Sequence, residues 1–515
     1  MATTPARRRL AEALSALKGL QDGGVHVLRP DQLSRPHREA LARNGFIRPI
    51  IRGWYMPASP SDEPRETTAW YASALEFVGR CCQARFGDAW CMSPDFSIRL
   101  HVGDNVLPAQ VMVHAPNGQN TVLPLPAGHS LFDYRAKDFP AGGMADPSGV
   151  RAMPLETALV RVPESFFRTH ARDAQAALLS LRDTSTLNRL LLADGRSVAA
   201  GRLAGALRAC GRAELADDVL GVMKRAGHDV RETNPFDAPL PVLRSVRGEA
   251  AYVTRIRLTW IAMREKVIEL FPAPPGKPRS SRTYLSEVRD TYVRDACNSL
   301  SIEGCRVTPE LIERVASGQW SPAANTGDAS SRDAMAARGY YLARRAVEAS
   351  LGRILAGENP GRVAAADHRA WFGELFRPSV KAGILQDDHL AGCRGHAAFI
   401  KNAAHVPPPV EAVRGLMPAL FDLLELEPHP GVGAVLGHFV FVYVHPYMDG
   451  NGRMGRFLMN AMLASGGYPW TVIGAARRDE YMLALDAASA QGDIGPFAAF
   501  IADCVAQETR LRQAT

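Results

Sequence analysis

Two apolar runs with a short polar loop between them most constrain this 515-residue chain. Val432 to Val444 is almost wholly apolar, and Phe457 to Ala464 nearly so. Each reads as an apolar helix, and neither reaches the roughly 18 residues of a membrane span. The loop joining them is His445-Pro446-Tyr447-Met448-Asp449-Gly450-Asn451-Gly452-Arg453-Met454-Gly455-Arg456. A Gly-rich loop that opens a helix offers unpaired backbone N–H groups and the positive end of the helix dipole, which suits phosphate.

The residue types in the loop divide the chemistry between them. Histidine titrates near pH 6.5, so His445 can accept a proton at about neutral pH. A lone Asp449 beside phosphates is the expected ligand of Mg²⁺, which takes one or two carboxylates and fills its shell with phosphate oxygens and water. Gly450 and Gly452 let an anion approach the backbone, and Asn451 can donate to a phosphate oxygen. Arg453 and Arg456 stand three apart on the emerging helix and reach back toward the loop. A base, a magnesium carboxylate, an anion cradle and two arginines suit attack of a hydroxyl on a nucleotide phosphate.

Composition sets the outer limits. The chain is too long for one core, and 46% hydrophobic with 22% charged residues is ordinary for a soluble globular protein. No run of apolar residues predicts a membrane partner or a signal peptide, so a cytoplasmic location is expected. Eight cysteines with no C-x-x-C argue against a zinc site and a disulfide framework. The net charge of +7 is concentrated at the start, where residues 1–60 hold ten Lys/Arg against four Asp/Glu. That basic head points to an anionic partner, with DNA the candidate.

In chain order, Thr4-Pro5 starts a helix with Leu10, Leu14 and Leu17 on one face. Arg29 to Ser34 reads as one helical turn and Pro36 to Arg43 as a basic helix, then a strand–turn–strand over 46–56. Helix, helix, basic helix and hairpin is the layout of a winged helix-turn-helix. Residues 60 to 230 mix a β-rich segment (Val106 to Asn117) with Leu-rich helices and hold no catalytic constellation. Three prolines in 231–248 mark a domain boundary. From Tyr284 onward the period is helical, with Leu285 to Ser301 read as one helix and Ile384 to His405 as a loop or hairpin.

Two resemblances sharpen this reading. The stretch Asn44-Gly45-Phe46-Ile47-Arg48 … Arg52-Gly53-Trp54-Tyr55-Met56-Pro57 is similar to the N-terminal module of abortive-infection antitoxins of the AbiE type. Val150-Arg-Ala-Met-Pro-Leu-Glu-Thr-Ala-Leu looks like a later segment of the same regulators. The loop at 445–456 resembles the Fic (Fido) signature His-Pro-Phe-x-Asp/Glu-Gly-Asn-Gly-Arg-x-x-Arg, with Tyr447 in place of Phe. That likeness extends over roughly 280 to 505, through Gly467-Tyr468-Pro469, Arg478-Asp-Glu-Tyr481 and Ala391-Gly-Cys-Arg394 … His405-Val-Pro-Pro.

The Fic resemblance implies a mainly α fold: an all-α core with a small β-hairpin flap. The implied domains are a winged helix-turn-helix at 1–58, an α+β accessory domain at 59–230, a linker at 231–250 and a Fic domain at 251–515. It implies AMP transfer from ATP to a Ser, Thr or Tyr hydroxyl of a protein, the chain itself included. His445 would be the general base, Asp449 the Mg²⁺ ligand, and Gly450, Asn451 and Gly452 the anion hole. Arg453 and Arg456 would clamp the distal phosphates, Tyr481 would contact the nucleotide, and a flap at Arg394 to His405 would register the target. The pattern Ser299-Leu-Ser-Ile-Glu303-Gly304 matches the inhibitory-helix motif of the family, whose carboxylate would pair with Arg456. The antitoxin resemblance keeps open a DNA-binding regulator whose Fic part senses nucleotide. Transfer or removal of another phosphate-containing group on the same fold also stays open.

Overall fold

The computed structural model describes residues 5–22, 24–60, 67–137, 139, 144–145, 149–241, 243, 249–278, 280–319, 332–400 and 403–514. The expected cap Thr4, linker positions 242 and 244–248, and flap positions 401–402 lie outside them. The chain is mainly helical and divides into two units, one of residues 1–255 with 399–406, the other of 256–398 with 407–515. The division falls inside the helix Ala251–Leu270.

The first unit begins with helices Pro5–Asp22 and Arg35–Arg43, then strands β1 (Ile47–Ile51) and β2 (Trp54–Pro57). Ser34 caps the second helix by accepting from the His37 N–H, with Pro36 behind it. Ala13, Leu17, Leu28, Leu41 and Ile47 bury together. Ile50 and Met56 face the other way, into a core with Trp70, Phe77, Trp90 and Phe96. This follows from the period-2 alternation of strands, which sends neighbouring residues to opposite sides. The hairpin therefore shares a core with the residues that follow it.

That second core is roofed by a four-stranded sheet of β3 (Cys91–Met92), β4 (Gln110–Ala115), β5 (Val122–Pro124) and β6 (Ser130–Arg135). Its order is β3-β4-β6-β5, with β4 and β6 parallel and both outer pairings antiparallel. Short helices between Leu155 and Arg225 complete the unit. The proline-marked boundary starts later than its sequence implies, because Arg231 to Asn234 lie against the helix Ser197–Ala209. A Cβ at Gly201 would fall 2.0 Å from the Arg231 carbonyl oxygen, and one at Gly205 2.1 Å from that of Thr233. The cysteines are all free, and burial pushes the adjacent Cys81 and Cys82 thiols up.

The second unit is helical. Its centre is the pair Pro430–Val444 and Asn451–Ser465, packed against Arg332–Leu355, Pro360–Lys381 and Val410–Leu426. The stretch expected as one helix over 285–301 is two, Ser281–Asp290 and Tyr292–Ile302. Arg344 explains the break. Its guanidinium donates to the Val288 carbonyl (2.6 Å) and to Thr291 Oγ1 (3.0 Å), while Thr291 Oγ1 itself donates to Val288 O (2.7 Å). Val288 O also takes the Thr291 N–H (3.3 Å), three residues on, so the last turn tightens and the helix ends there.

In the stretch read as a loop or hairpin, Asp387–Leu390 is a single 3₁₀ turn, and no strand appears among the described residues of 391–409. No described helix is long and apolar enough to cross a membrane.

Candidate functional site

The loop at 445–456 is shaped by where its two helices stop and start. His445 ends the first helix in the left-handed region at φ 50°, uncommon for a residue with a Cβ. Its backbone N–H still donates to Phe441 O (3.0 Å). Its Nδ1 lies 3.4 Å from Val442 O. A Nδ1–H donating there leaves Nε2 as the free, basic nitrogen. Burial pushes the imidazole down to about 4, against smaller opposing effects of Val442 O, Glu303 and Asp449.

Gly450, at φ 79°, caps the second helix without a side-chain hydrogen bond. The N–H groups of its first turn thus remain available to an anion. A Cβ at Gly450 would stand 2.8 Å from Phe376, so glycine is required for both space and conformation. Tyr447 is buried and stacks face to face on Phe372, with ring centroids 3.8 Å apart and planes 7° off parallel.

Asn451 departs from its expected use. Its Oδ1 accepts from the Tyr447 N–H (3.0 Å), and its Nδ2 donates to the Tyr447 carbonyl (2.8 Å). The buried amide braces the loop instead of facing a phosphate, because an amide carries both an acceptor and a donor and so satisfies both backbone groups of Tyr447 at once.

Asp449 Oδ1 accepts from the Gly450 N–H (2.6 Å) and from Arg453 Nη2 (3.2 Å), leaving Oδ2 with no hydrogen-bond partner among the described residues. Its side chain is 57% exposed. No group of three His, Cys, Asp or Glu that could hold a metal occurs among the described residues. A single accessible carboxylate still suits Mg²⁺, provided phosphate oxygens and water supply the other ligands. Arg453 is buried, with its guanidinium 5.1 Å from the Phe376 ring centroid.

Arg456 meets residues far away in sequence. Its Nε donates to Ser299 Oγ (2.8 Å), and its Nη2 donates to Ser299 O (3.1 Å) and Glu303 Oε1 (2.7 Å). Burial alone would lower this guanidinium, but the Glu303 carboxylate and Tyr481 outweigh it and hold it above its ordinary value. Glu303 terminates the helix Tyr292–Ile302, and Gly304 turns the chain away at φ 83°. A Cβ at Gly452 would lie 2.4 Å from Glu303 Oε1. Only glycine therefore lets that carboxylate rest over the first turn of the Asn451–Ser465 helix. One and two turns upstream of Glu303, Ser299 and Asp295 share its face, and Asp295 forms a buried ion pair with Arg344.

Two residues sit elsewhere than expected. Arg394 is buried and turned inward, donating from Nε to His445 O (2.8 Å), from Nη1 to His396 O (3.1 Å) and from Nη2 to Pro408 O. A guanidinium bonded to three carbonyls braces the base of the loop. Tyr481 is 2% exposed, and its hydroxyl lies 2.8 Å from His438 Nε2, which places it in the interior. His438 and Asp295 escaped the sequence reading. His438 lies seven residues before His445, two helical turns along the same helix, and that spacing was the available signal.

Residues 368–463 match the model of the Fic/DOC family. The chain thus carries a Fic domain. Over 104 residues it is 43% identical to the protein adenylyltransferase Fic of Drosophila willistoni, covering 19% of this chain and 21% of that one. The namesake from Nematostella vectensis is 44% identical over 104 residues, 19% of this chain and 24% of its own. The chain thus spans less than a quarter of the length of these curated relatives. Among solved structures, a Fic family protein from Desulfovibrio desulfuricans G20 is 22% identical with a TM-score of 0.35, covering 50% of this chain and 74% of that chain. Fic-1 (aa134–508) from C. elegans is 18% identical with a TM-score of 0.38, covering 70% and 91%. At scores this low, no residue-level correspondence follows.

Proposed function

We propose that this protein is an autoinhibited protein adenylyltransferase that moves AMP from ATP to a Ser, Thr or Tyr hydroxyl, on itself or on another protein. The observation that carries the reading is the loop itself, where a half-buried imidazole, its Nδ1 held by Val442 O, adjoins a helix N-terminus with no side-chain cap and two buried arginines. The curated relatives that match this stretch are named for that activity.

In this reading the target hydroxyl gives its proton to His445 Nε2 while its oxygen attacks the α-phosphorus. The bond between the α-phosphorus and the bridging oxygen breaks, and pyrophosphate leaves. The N–H groups at the start of the Asn451–Ser465 helix bind phosphate oxygens, and Arg453 and Arg456 hold the distal phosphates. Asp449 would hold Mg²⁺, which supplies neutralisation of phosphate charge. Glu303 acts as a brake: while it pairs with Arg456, that arginine is withheld from the γ-phosphate. The Gly452 geometry supports this, since the missing Cβ lets the carboxylate approach the first turn of that helix beside Arg456.

The test is incubation of the full-length protein with ATP labelled at the α-phosphate, followed by peptide mass spectrometry. Expected is a Ser, Thr or Tyr peptide heavier by one AMP in Glu303→Gly and unmodified in Glu303→Gly/His445→Ala. No AMP adduct in either would refute the reading.

A second activity is proposed for residues 5–57, whose helix–helix–hairpin arrangement and exposed Arg7, Arg8, Arg9, Arg43 and Arg52 favour binding of duplex DNA in the manner of a winged helix. Gel shift of the full chain on DNA from its own promoter, weakening steeply with salt, tests it. Retention indifferent to salt, or none at all, would refute it.

A further inference from the structure

Beside Arg456, three helices bring together groups that the transfer reading does not use. Tyr481 comes from Arg478–Asp486 and His438 from Pro430–Val444. Both are buried, and the Tyr481 hydroxyl and His438 Nε2 are 2.8 Å apart. Their rings are enclosed by Phe497, centroids 5.3 Å from His438 and 6.1 Å from Tyr481, with Phe500 at 5.9 Å from Tyr481. Gly455 makes room for this pair: a Cβ there would stand 3.0 Å from His438 Cδ2 and 3.2 Å from its Nε2.

The arginine beside them is incompletely satisfied. Arg456 Nε and Nη2 are engaged by Ser299 and Glu303, but its buried Nη1 has no hydrogen-bond partner among the described residues. A buried donor left alone is costly. The phenol of Tyr481 adjoins this guanidinium, whose positive charge opposes the rise that burial imposes on the tyrosine. A phenol oxygen bonded to one imidazole nitrogen keeps a lone pair free in either histidine tautomer. Packing between His438, Phe497 and Phe500 would be served equally by phenylalanine, so the hydroxyl at 481 calls for a polar role.

We propose that Tyr481 and His438 are positioning residues for Arg456: the hydroxyl, held by His438, accepts from Arg456 Nη1 when the guanidinium leaves Glu303, and so presents the other face of the arginine to the distal phosphates of a nucleoside triphosphate. This deepens, and rests on, the reading that Arg456 serves the phosphates beyond the first. His438 is suited to the task because burial and the neighbouring Arg456 hold it neutral across the physiological range. A charged imidazole would repel the guanidinium it supports.

The test uses the full-length Glu303→Gly protein, in which the competing carboxylate is gone. ATP and AMP affinities are measured by calorimetry in this background, then with Tyr481→Phe, His438→Leu or His438→Gln added. AMP lacks the phosphates that Arg456 would hold, so it reports the rest of the site. Tyr481→Phe and His438→Leu are expected to weaken ATP about tenfold, the worth of one hydrogen bond to a charged group, with AMP changed less than about twofold. His438→Gln, which restores an acceptor, should recover most of the loss. Equal weakening of ATP and AMP, or ATP affinity unchanged, would overturn the proposal. If Tyr481→Phe fails to fold, the contrast between His438→Leu and His438→Gln decides the matter alone. Absence of AMP transfer in the parent Glu303→Gly protein would defeat the transferase reading while leaving the ATP-to-AMP comparison to judge the positioning role.

Discussion

Replacing Glu303 by glycine is the perturbation that most directly probes the brake. Glu303 Oε1 sits 2.7 Å from Arg456 Nη2, with side-chain exposures of 25% and 5%. A hydrogen bond to a charged partner in such a setting contributes about 1.5–3 kcal/mol. The exposed quarter of the carboxylate places the expectation toward the lower end of that range. At about 1.4 kcal/mol per tenfold, release of Arg456 should raise the initial rate of AMP transfer by about 10-fold to 30-fold. The helix should stay docked, because Ser299 keeps its two bonds to Arg456 and Asp295 keeps Arg344. Glu303→Gln retains an accepting oxygen without the charge and should fall between wild type and Glu303→Gly. The assay is incorporation of label from α-labelled ATP at fixed protein concentration, with Glu303→Gly/His445→Ala as the zero. A Glu303→Gly rate within twofold of wild type, with transfer measurable in both, would refute the account of Arg456 as the contested group.

Further outcomes follow from the same geometry. Burial holds His445 neutral down to about 4 and His438 lower still, whereas unfolded imidazoles take up protons below about 6.5. The unfolded state then binds more protons, so stability is fully present above pH 6.5 and is lost as the pH falls toward 4; thermal melts across that range should show it. Over pH 6 to 8 the transfer rate should be free of any limb due to His445, which a pH–rate profile of Glu303→Gly checks. Asn451→Ala removes both bonds to the Tyr447 backbone and orphans two buried groups, at about 1–3 kcal/mol each, read as a lower urea midpoint. Asp295→Ala leaves Arg344 buried and unpaired, and should destabilise the second unit by about 3–5 kcal/mol in the same experiment.

The chemistry of the loop lies open in the chain because its members are neighbours. His445, Asp449, Gly450, Gly452 and the two arginines fall within twelve consecutive positions, and the spacing of a helix start brings them together without help from the rest of the fold. The apolar runs on either side are likewise read from composition and length alone, and they are the two helices at the centre of the second unit. The pattern Ser299…Glu303-Gly304 is also visible, as a helix end.

Direction is what the sequence leaves out. Asn451 turns to the Tyr447 backbone and Arg394 to three carbonyls, so both side chains satisfy backbone groups of the loop and its surroundings. The contact between Arg456 and Glu303 joins residues 153 positions apart, and it requires a bare Cα at Gly452 to close. Tyr481 reads as one more polar residue near the nucleotide until packing on Phe497 and Phe500 turns its hydroxyl inward to His438. Residue type and local spacing determine which groups can do chemistry. Which of them face the open site, and which are spent holding it in shape, depends on desolvation, and desolvation exists only once the helices have packed.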